Sequence, residues 1–537
     1  MATPTQTAAL VTAALVARTP AEAPARFALF PSPAEPADSL AAIERDLAAL
    51  YPQIERQPTG EAILTLPNHR FLNAVAAFAA ADALVAAYGL AVAEPEIIHA
   101  VMPIQRLSPP DEAAIESVDT LLPGCWVAEE ADLKARKRWA LDTMAVPAAW
   151  AFAKAKGRPS QGKGIVIAQP DTGLTKHAEL RGIDIVKPFN LLGDGKTPTD
   201  PTDPMSPEGN PGHGTATASV AVSPETLDVA GTAPAASLMP IRAIQSVIRL
   251  SQVSVAQAID HAVANGAHVI TMSLGGIASF MLWRALERAV AADVIVLAAA
   301  GNCVSEVVWP ARYDDCIAVG GTDAHDKPWP GSCHGGAVDI SAPAQNVYRA
   351  AAQTGDAGQG QGTSFAVALT AGVAACWLAH HGRAKVVGEA RKRGETVQAM
   401  FRRLLRATSR APAGWDASEM GAGIVDAGAL LKADFDLGFG QEGLREGLQE
   451  GPETVAELSR GASVRDLAVR RLGPEAALLP VDWSRRDAEI SLALLKTAVA
   501  ATSLEEAPAR GTETARDRLA WLVGRPGALE PPAAPEK

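Results

Sequence analysis

Cysteine, aromatic side chains and basic charge are all scarce in this chain of 537 residues. Its five cysteines are too few and too scattered for a disulfide scaffold, and an odd number leaves at least one thiol unpaired. Acidic residues outnumber basic ones by 60 to 48, and the net charge of −12 argues against a nucleic-acid binder, which normally carries a basic face. No apolar run reaches the roughly 18 residues of a membrane-spanning helix.

The composition is that of a folded protein. Hydrophobic residues make up 48% of the chain and charged residues 20%, which excludes a disordered chain. At about 100–200 residues per domain, the length predicts two to four domains. We expect a soluble, acidic, multi-domain protein, and an enzyme is the leading interpretation.

The N-terminus leaves the compartment open. Residues 8–17 are apolar enough for the core of a secretory signal, and the Ala-Glu-Ala sequence at 21–23 would suit its cleavage. No Lys or Arg precedes Arg18, however, whereas a signal peptide normally begins with a positive segment. An Ala-rich, poorly ordered segment is the preferred interpretation, which favours the cytoplasm, with secretion as the alternative.

Changes in composition divide the chain into five parts. Residues 1–37 are predicted to be a disordered or targeting segment, and 38–100 a small α+β domain of two helices on a short sheet. A linker is expected at 101–138 and an alternating α/β domain at 139–433. Residues 434–537 are predicted to form a helical extension with a disordered tail.

The α/β part alternates continuous apolar runs with amphipathic helical patterns. The runs predicted to be strands are 164–169, 238–244, 268–274, 293–300 and 316–321. Such alternation predicts a doubly wound parallel sheet that helices cover on both faces. Ligands of these sheets bind beyond the carboxyl ends of the strands, so we expect the chemistry there.

Two motifs present an acid and a histidine. Asp171 directly follows the strand 164–169 in an Asp-Thr-Gly sequence. His213 lies between Gly212 and Gly214, at the start of a segment of small residues that suits a closely packed helix. Each has a structural alternative, a turn aspartate in the first case and a structural histidine in the second.

Two further motifs present a serine and an asparagine. Ser364 opens the apolar stretch 364–381, which predicts a central buried helix whose N-terminus favours developing negative charge. A simple helix N-cap is the alternative for this serine. Asn302 follows the strand 293–300 and either caps a turn or directs its amide at an oxyanion.

Taken together and in this order, these motifs closely resemble those of the subtilisin-like serine proteases, the subtilase family. The family's Asp-Thr-Gly, Gly-His-Gly-Thr and Gly-Thr-Ser-x-Ala segments match 171–173, 212–215 and 362–366. Supporting similarities occur at 139–150, 177–180, 229–234, 273–276, 300–302, 341–343 and 421–427. The resemblance covers about 139–433 and implies the subtilisin-like α/β fold.

The resemblance also implies the roles of individual residues. It implies a serine endopeptidase with the triad Asp171, His213 and Ser364, and with Asn302 in the oxyanion hole. The implied walls of the substrate pocket are Ser273, Leu274, Gly275, Ala300 and Gly301. These walls carry no charged side chain, so an apolar or broad substrate preference is expected. The implied partners are protein or peptide substrates.

One position departs from the family pattern. The nucleophile helix of subtilases usually continues as Ser-x-Ala-x-Pro-His, whereas Ala368 and Leu369 stand in the last two places here. Because that Pro and His lie outside the triad, we expect altered helix packing and not lost chemistry.

The flanking parts of the chain are less specific. Residues 38–100 resemble the inhibitory propeptide of subtilases, which implies autoinhibition and a cleavage between about 100 and 138. The extension at 434–537 is a candidate surface for a regulatory partner. A catalytically silent subtilase scaffold that acts as a binding or regulatory protein is the alternative function.

Hydrolysis of this kind requires no cofactor and no catalytic metal. Subtilases often bind structural calcium, and Asp194, Asp200 and Asp203 lie in a polar loop that could supply oxygen ligands, although a flexible acidic loop is the preferred interpretation. Cys303, next to Asn302, is expected to be a buried or incidental thiol.

Overall fold

A computed structural model describes residues 4–20, 22–32, 36–97, 127, 130–207, 209–249, 252–439, 463–499, 514–524 and 529. We refer to 4–97 as the N-terminal unit, to 130–439 as the catalytic domain and to the described residues from 463 onward as the C-terminal extension. The predicted tail after residue 529 lies outside the described residues, as do 101–126 of the predicted linker.

The N-terminal unit is an α+β domain. Its elements are α1 (Pro4–Ala13), β1 (Leu15–Ala17), β2 (Ala25–Pro31), α2 (Pro36–Asp46), β3 (Gln53–Arg56), β4 (Ala62–Leu66), β5 (His69–Phe71), α3 (Ala74–Tyr88) and β6 (Leu90–Pro95). The main sheet is antiparallel with the strand order β3-β4-β2-β6, and β1 pairs with β5. Asn73 caps α3 by accepting a hydrogen bond from the Ala76 N–H at 2.8 Å.

The described residues within 1–37 are not disordered, contrary to one of the two predictions for this segment, and the targeting role stays a prediction. Strand β2 lies between β4 and β6 in the sheet, and its Phe27 and Leu29 are fully buried. Helix α1 packs on α3 and buries Val11. The domain boundary predicted at residue 38 is therefore too late. The Pro- and Ala-rich composition concealed a strand whose pairing partners lie 30 to 70 residues further along the chain.

The catalytic domain contains the alternating elements that the sequence predicts. Its strands are β7 (Val166–Asp171), β8 (Asp184–Ile185), β9 (Phe189–Asn190), β10 (Ser237–Arg242), β11 (Ile248–Arg249), β12 (Val269–Met272), β13 (Gly275–Gly276), β14 (Ile295–Ala299), β15 (Ile317–Thr322), β16 (Ile340–Pro343), β17 (Val347–Ala351) and β18 (Asp356–Gly360). Its helices are α4 (Ala131–Ala135), α5 (Trp139–Thr143), α6 (Val146–Ala155), α7 (His213–Val222), α8 (Val253–Ala264), α9 (Phe280–Ala291), α10 (Thr363–His381), α11 (Arg383–Lys392), α12 (Val397–Ala407), α13 (Ala417–Met420) and α14 (Ala427–Lys432).

The central sheet is parallel and doubly wound. Its strand order is β16-β15-β14-β12-β7-β10-β8, and β9 also pairs with β10. From β7 the chain passes to β10 on one side and then to β12 on the other, so the switch point lies beside β7. Successive residues of β7 face opposite layers: Ile167 belongs to the core that contains α10, and Ala168 to the core that contains α8 and α9.

Helix α10 is the central buried helix predicted from its apolar sequence. It is long and apolar enough to cross a membrane by length and composition, but its whole apolar window is buried inside the molecule. The helix continues without a break through Ala368 and Leu369, where the family usually has Pro and His. The Thr232 hydroxyl donates to the Leu369 carbonyl at 3.0 Å, which ties this turn to the neighbouring loop.

The C-terminal extension is helical, as predicted. It consists of α15 (463–472), α16 (Asp487–Val499) and α17 (Ala515–Val523), with a 3₁₀ turn at Pro474–Leu478. Apolar residues of all three helices, including Leu467, Leu494 and Leu519, join the core that contains α8 and α9.

The central position of β2 can be tested with Leu29→Ala. Truncation of a fully buried leucine costs about 2–5 kcal/mol, so the N-terminal unit should unfold at clearly lower urea concentration. Hydrogen exchange of the β4 amides would measure this locally. Leu72→Ala is the matched control because Leu72 is 52% exposed. Equal protection in both variants would mean that β2 is not part of the sheet.

Candidate active site

Asp171 is the last residue of β7, at the carboxyl edge of the sheet. Its side chain is buried, and its carboxylate is held by protein donors on both oxygens. Oδ1 accepts from the Thr172 N–H at 2.6 Å, and Oδ2 accepts from the Thr217 hydroxyl at 3.2 Å. These contacts fix the orientation of the carboxylate towards α7.

His213 is the first residue of α7, and Gly212 precedes it with φ +79°. The helix start lies very close to the turn after β7: a Cβ built on Gly214 would lie 2.2 Å from the Gly173 carbonyl oxygen. Only glycine permits this approach, which brings the imidazole onto Asp171. The His213 Nδ1–Asp171 Oδ1 distance is 2.8 Å.

Ser364 lies in the first turn of α10 and completes a linear arrangement of three buried side chains. The His213 Nε2–Ser364 Oγ distance is 3.1 Å. Ser273, which follows β12, donates from its hydroxyl to the Ser364 carbonyl at 3.0 Å and so ties this residue to the sheet edge. The structure thus brings together the three residues that the sequence proposes as a triad.

Asn302 follows β14 and points to the start of α10. Its side-chain oxygen accepts from the Thr363 N–H at 2.9 Å and from the Thr363 hydroxyl at 2.7 Å. A backbone N–H can only donate, so the atom that faces it must be the amide oxygen. The Nδ2 group is therefore the part of Asn302 that is able to donate to a ligand near Ser364.

The family model described as the subtilase family matches residues 162–440. The chain belongs to the subtilase family. The relatives of this chain include proteins named as subtilisins and alkaline proteases. Like these relatives, the chain is a serine-type endopeptidase.

Two curated relatives illustrate the similarity. M-protease of Shouchella clausii (strain KSM-K16) is 32% identical over 276 residues, which cover 50% of this chain and 67% of that protein. Thermitase of Thermoactinomyces vulgaris is 35% identical over 242 residues, which cover 44% of this chain and 80% of that protein. A solved structure, that of the prenylagaramide maturation protease PagA, is 25% identical, covers 53% of this chain and 96% of its own, and has a TM-score of 0.41.

The two predicted pocket walls of this subtilase lie on either side of one side chain that the sequence did not single out. A Cβ built on Gly275 would lie 2.3 Å from Val308 Cγ2, and one built on Gly301 would lie 3.0 Å from the same atom. The Val308 N–H donates to the Ala300 carbonyl at 3.0 Å. Val308 was missed because it lies in an irregular loop with no motif of its own.

A second buried carboxylate joins the two segments that carry the subtilase acid and histidine. Asp203 Oδ2 accepts from the Thr172 hydroxyl and from the Gly212 N–H, both at 2.8 Å, and Oδ1 accepts from the Met205 N–H at 2.8 Å. Thr172 Oγ1 in turn accepts from the Gly214 N–H at 3.0 Å. Asp203 therefore braces the backbone on both sides of the acid–histidine contact.

The other carboxylates of the predicted calcium loop also have protein donors. Arg242 donates from Nε to Asp194 Oδ1 at 2.8 Å and holds the pKa of that carboxyl below its usual value. Asp200 accepts from the backbone N–H groups of Lys196 and Thr202. Within the part of the chain that the structure describes, no three His, Cys, Asp or Glu side chains form a group that could hold a metal ion. Structural calcium stays a prediction.

The structure contradicts the expectation that Cys303 is a free thiol. Cys303 is disulfide-bonded and so is not a free thiol beside the site. Cys316, Cys333 and Cys376 are free and buried, and burial raises the pKa of the Cys333 thiol to about 12. Cys125 lies outside the described residues.

The bracing role of Asp203 predicts a specific kinetic defect in Asp203→Asn. The amide cannot accept at both former oxygen positions, so a buried donor loses its partner and the acid–histidine alignment relaxes. We expect kcat on a chromogenic peptide to fall by about tenfold or more with KM nearly constant. Asp200→Asn, in the same loop but only half-buried and without a contact to Thr172 or Gly212, is the control. Equal kcat in both variants would refute the bracing role.

Proposed function

We propose that this subtilase hydrolyses peptide bonds through Asp171, His213 and Ser364. The observation that carries the proposal is the buried alignment of the three side chains, with contacts of 2.8 Å and 3.1 Å. Ser364 Oγ attacks the scissile carbonyl while His213 Nε2 removes its proton and later delivers that proton to the leaving amine. Asp171 keeps the Nδ1 proton oriented and stabilises the imidazolium.

The oxyanion of the tetrahedral intermediate is stabilised by two donors. The Nδ2 group of Asn302 is available because Thr363 occupies the side-chain oxygen. The second donor is the backbone N–H of Ser364, in the first turn of α10, where the helix dipole adds to the stabilisation. Loss of one such donor in a subtilisin costs about 10²–10³-fold in kcat, which sets the scale of the Asn302 contribution.

The substrate class follows from the pocket walls. Ser273, Leu274, Gly275, Ala300 and Gly301 are proposed to enclose the side chain that precedes the scissile bond. The Val308 isopropyl group contacts both glycines and takes up volume between the walls. The walls present no charge, so protein or peptide substrates with small apolar residues at this position are favoured.

Autoinhibition by the N-terminal unit is supported by how closely this unit packs on α8 and α9. Glu94 Oε2 accepts from the Phe280 N–H at 2.7 Å, at the N-terminus of α9. The rings of Phe30 and Phe280 meet edge to face with centroids 4.6 Å apart. A unit bound this closely beside the β12–α9 connection is positioned to restrict access until it leaves.

Ser364 as the nucleophile predicts covalent labelling by a fluorophosphonate probe. After the linker at 101–126 is cut and the N-terminal unit is removed, the unaltered chain should be labelled. Ser364→Ala should not be labelled in any state. Ser305→Ala, which removes an exposed serine near Asn302, is the control and should be labelled like the unaltered chain. Labelling that is independent of Ser364, or none at all once the N-terminal unit has been removed, would favour the silent scaffold.

The position of Val308 predicts a change of specificity in Val308→Gly. Removal of the isopropyl group deepens the pocket, so kcat/KM should rise for peptides with Phe before the scissile bond and fall for those with Ala. One methylene in an apolar pocket changes the discrimination between substrates by about 10–200-fold. The ratio of kcat/KM for the Phe peptide to kcat/KM for the Ala peptide should therefore increase by at least about tenfold. Val304→Gly, in the same loop, is the comparison variant. An unchanged ratio would place the pocket elsewhere.

A further inference from the structure

The C-terminal extension packs on the catalytic domain and on the N-terminal unit at the same time. All three parts contribute to the apolar core that surrounds α8 and α9. Its buried members include Ile63 and Phe78 of the N-terminal unit, Leu282 and Leu286 of α9, and Leu494 and Leu519 of the extension. The extension is thus a third layer that lies against both of the others.

Polar contacts anchor the extension to the catalytic domain at both ends of this layer. At the start of α15, the Trp309 indole N–H donates to the Ser463 hydroxyl at 3.3 Å and the Arg312 Nε donates to the Ser463 carbonyl at 3.1 Å. On α16, the Ser491 hydroxyl accepts from the Ala278 N–H at 3.0 Å, just before α9. These contacts attach the extension independently of the N-terminal unit.

A separate set of contacts attaches the extension to the N-terminal unit. Arg486 Nη1 lies 2.7 Å from Asp82 Oδ1 and 2.6 Å from Asp82 Oδ2, so α16 and α3 are joined by an ion pair that is mostly shielded from solvent. At the far end of α3, a Cβ built on Gly524 would lie 3.6 Å from Val75 Cγ2, which places the end of α17 against the start of α3.

The three parts meet at one half-buried carboxyl group. Glu94 of β6 accepts from the N–H groups that begin α9, and Asp487 of α16 lies close to it. Burial, and then the charge of Asp487, raise the pKa of Glu94 to about 7. The charged and polar groups that line this junction are Asp82 of α3, Ser279 before α9, and Arg485, Arg486, Asp487 and Glu489 of the extension.

We propose that the C-terminal extension is an intramolecular latch that holds the N-terminal unit on the catalytic domain through α16. Cleavage of the linker alone then leaves the unit bound, and release requires the Arg486–Asp82 contact to open. The conclusion that the latch regulates activity rests on the proposed inhibitory role of the N-terminal unit. Its binding step, however, can be measured without any catalysis.

The charge at Glu94 makes the latch dependent on pH. The pKa of the Glu94 carboxyl is raised in the assembled state, so its protonation favours assembly. This contribution is fully present when the pH is below the ordinary pKa of 4.5, and it is lost as the pH rises through about 7. The N-terminal unit should therefore be held more tightly in mildly acidic solution and more weakly above neutral pH.

The first experiment uses the full chain with Ser364→Ala and a recognition site for an added protease within 101–126. After cleavage, native mass spectrometry and size-exclusion chromatography measure how much N-terminal unit stays bound. We expect retention, and we expect Arg486→Asp to raise the dissociation constant by about tenfold or more. The charge exchange Asp82→Arg with Arg486→Asp should restore binding, and Arg516→Asp, at an exposed position of α17, should leave binding unchanged.

Two results would overturn the latch. One is loss of the N-terminal unit from the otherwise unaltered chain as soon as the linker is cut. The other is failure of the charge exchange to restore binding although circular dichroism shows native folding. Because Ser364→Ala is present throughout, neither result bears on the proposed catalytic residues, which the labelling experiment tests separately.

The pH dependence has its own variant, Glu94→Gln. The amide oxygen still accepts from the N–H groups of α9 but carries no charge. The dissociation constant of the Glu94 protein should rise by about tenfold or more between pH 5.5 and pH 8, whereas that of Glu94→Gln should stay nearly constant. The same change of the dissociation constant with pH in both proteins would show that another group controls release of the N-terminal unit.

Discussion

The carboxyl edge of one parallel sheet is the constraint on which the site depends. Parallel strands end on the same side, so the residues at the carboxyl ends of β7, β12 and β14 come together although the end of β7 is more than 100 positions from the other two in sequence. Asp171, Ser273 and Asn302 occupy these three ends. The sheet therefore supplies the acid, the support for Ser364 and the amide donor from one edge.

Helix α10 supplies the fourth component and depends on the same core. It is buried along almost its entire length, so its axis is set by packing on both the sheet and α7, and its N-terminus can lie only at the sheet edge. The hydrogen bonds from Thr363 to Asn302 then join strand and helix directly. Burial of these polar groups is tolerated because each finds a partner. The result is a preorganised arrangement of Asn302 and the start of α10, which is what the proposed oxyanion stabilisation requires.

The two ends of the chain cover the opposite layer. In this protein the N-terminal unit and the C-terminal extension bury apolar surface of α8 and α9 and of each other in one common core. A shared core couples the parts energetically, because removal of either exposes apolar area of the other. Glu94 lies where the three parts meet: its carboxylate accepts from the N–H groups that begin α9, and Asp487 of the extension is close to it.

Local sequence determined five strands of the central sheet, the apolar helix α10 and the four chemical residues, since each is marked by a short motif or a periodic pattern. It did not mark β8, β9 or β16. Only the tertiary structure decided the rest. The pairing of β2 with β4 and β6, the position of Val308 between the pocket walls, the bracing by Asp203 and the contact of Arg486 with Asp82 all join residues distant in sequence. Such contacts depend on chain path and close packing, which no local pattern encodes.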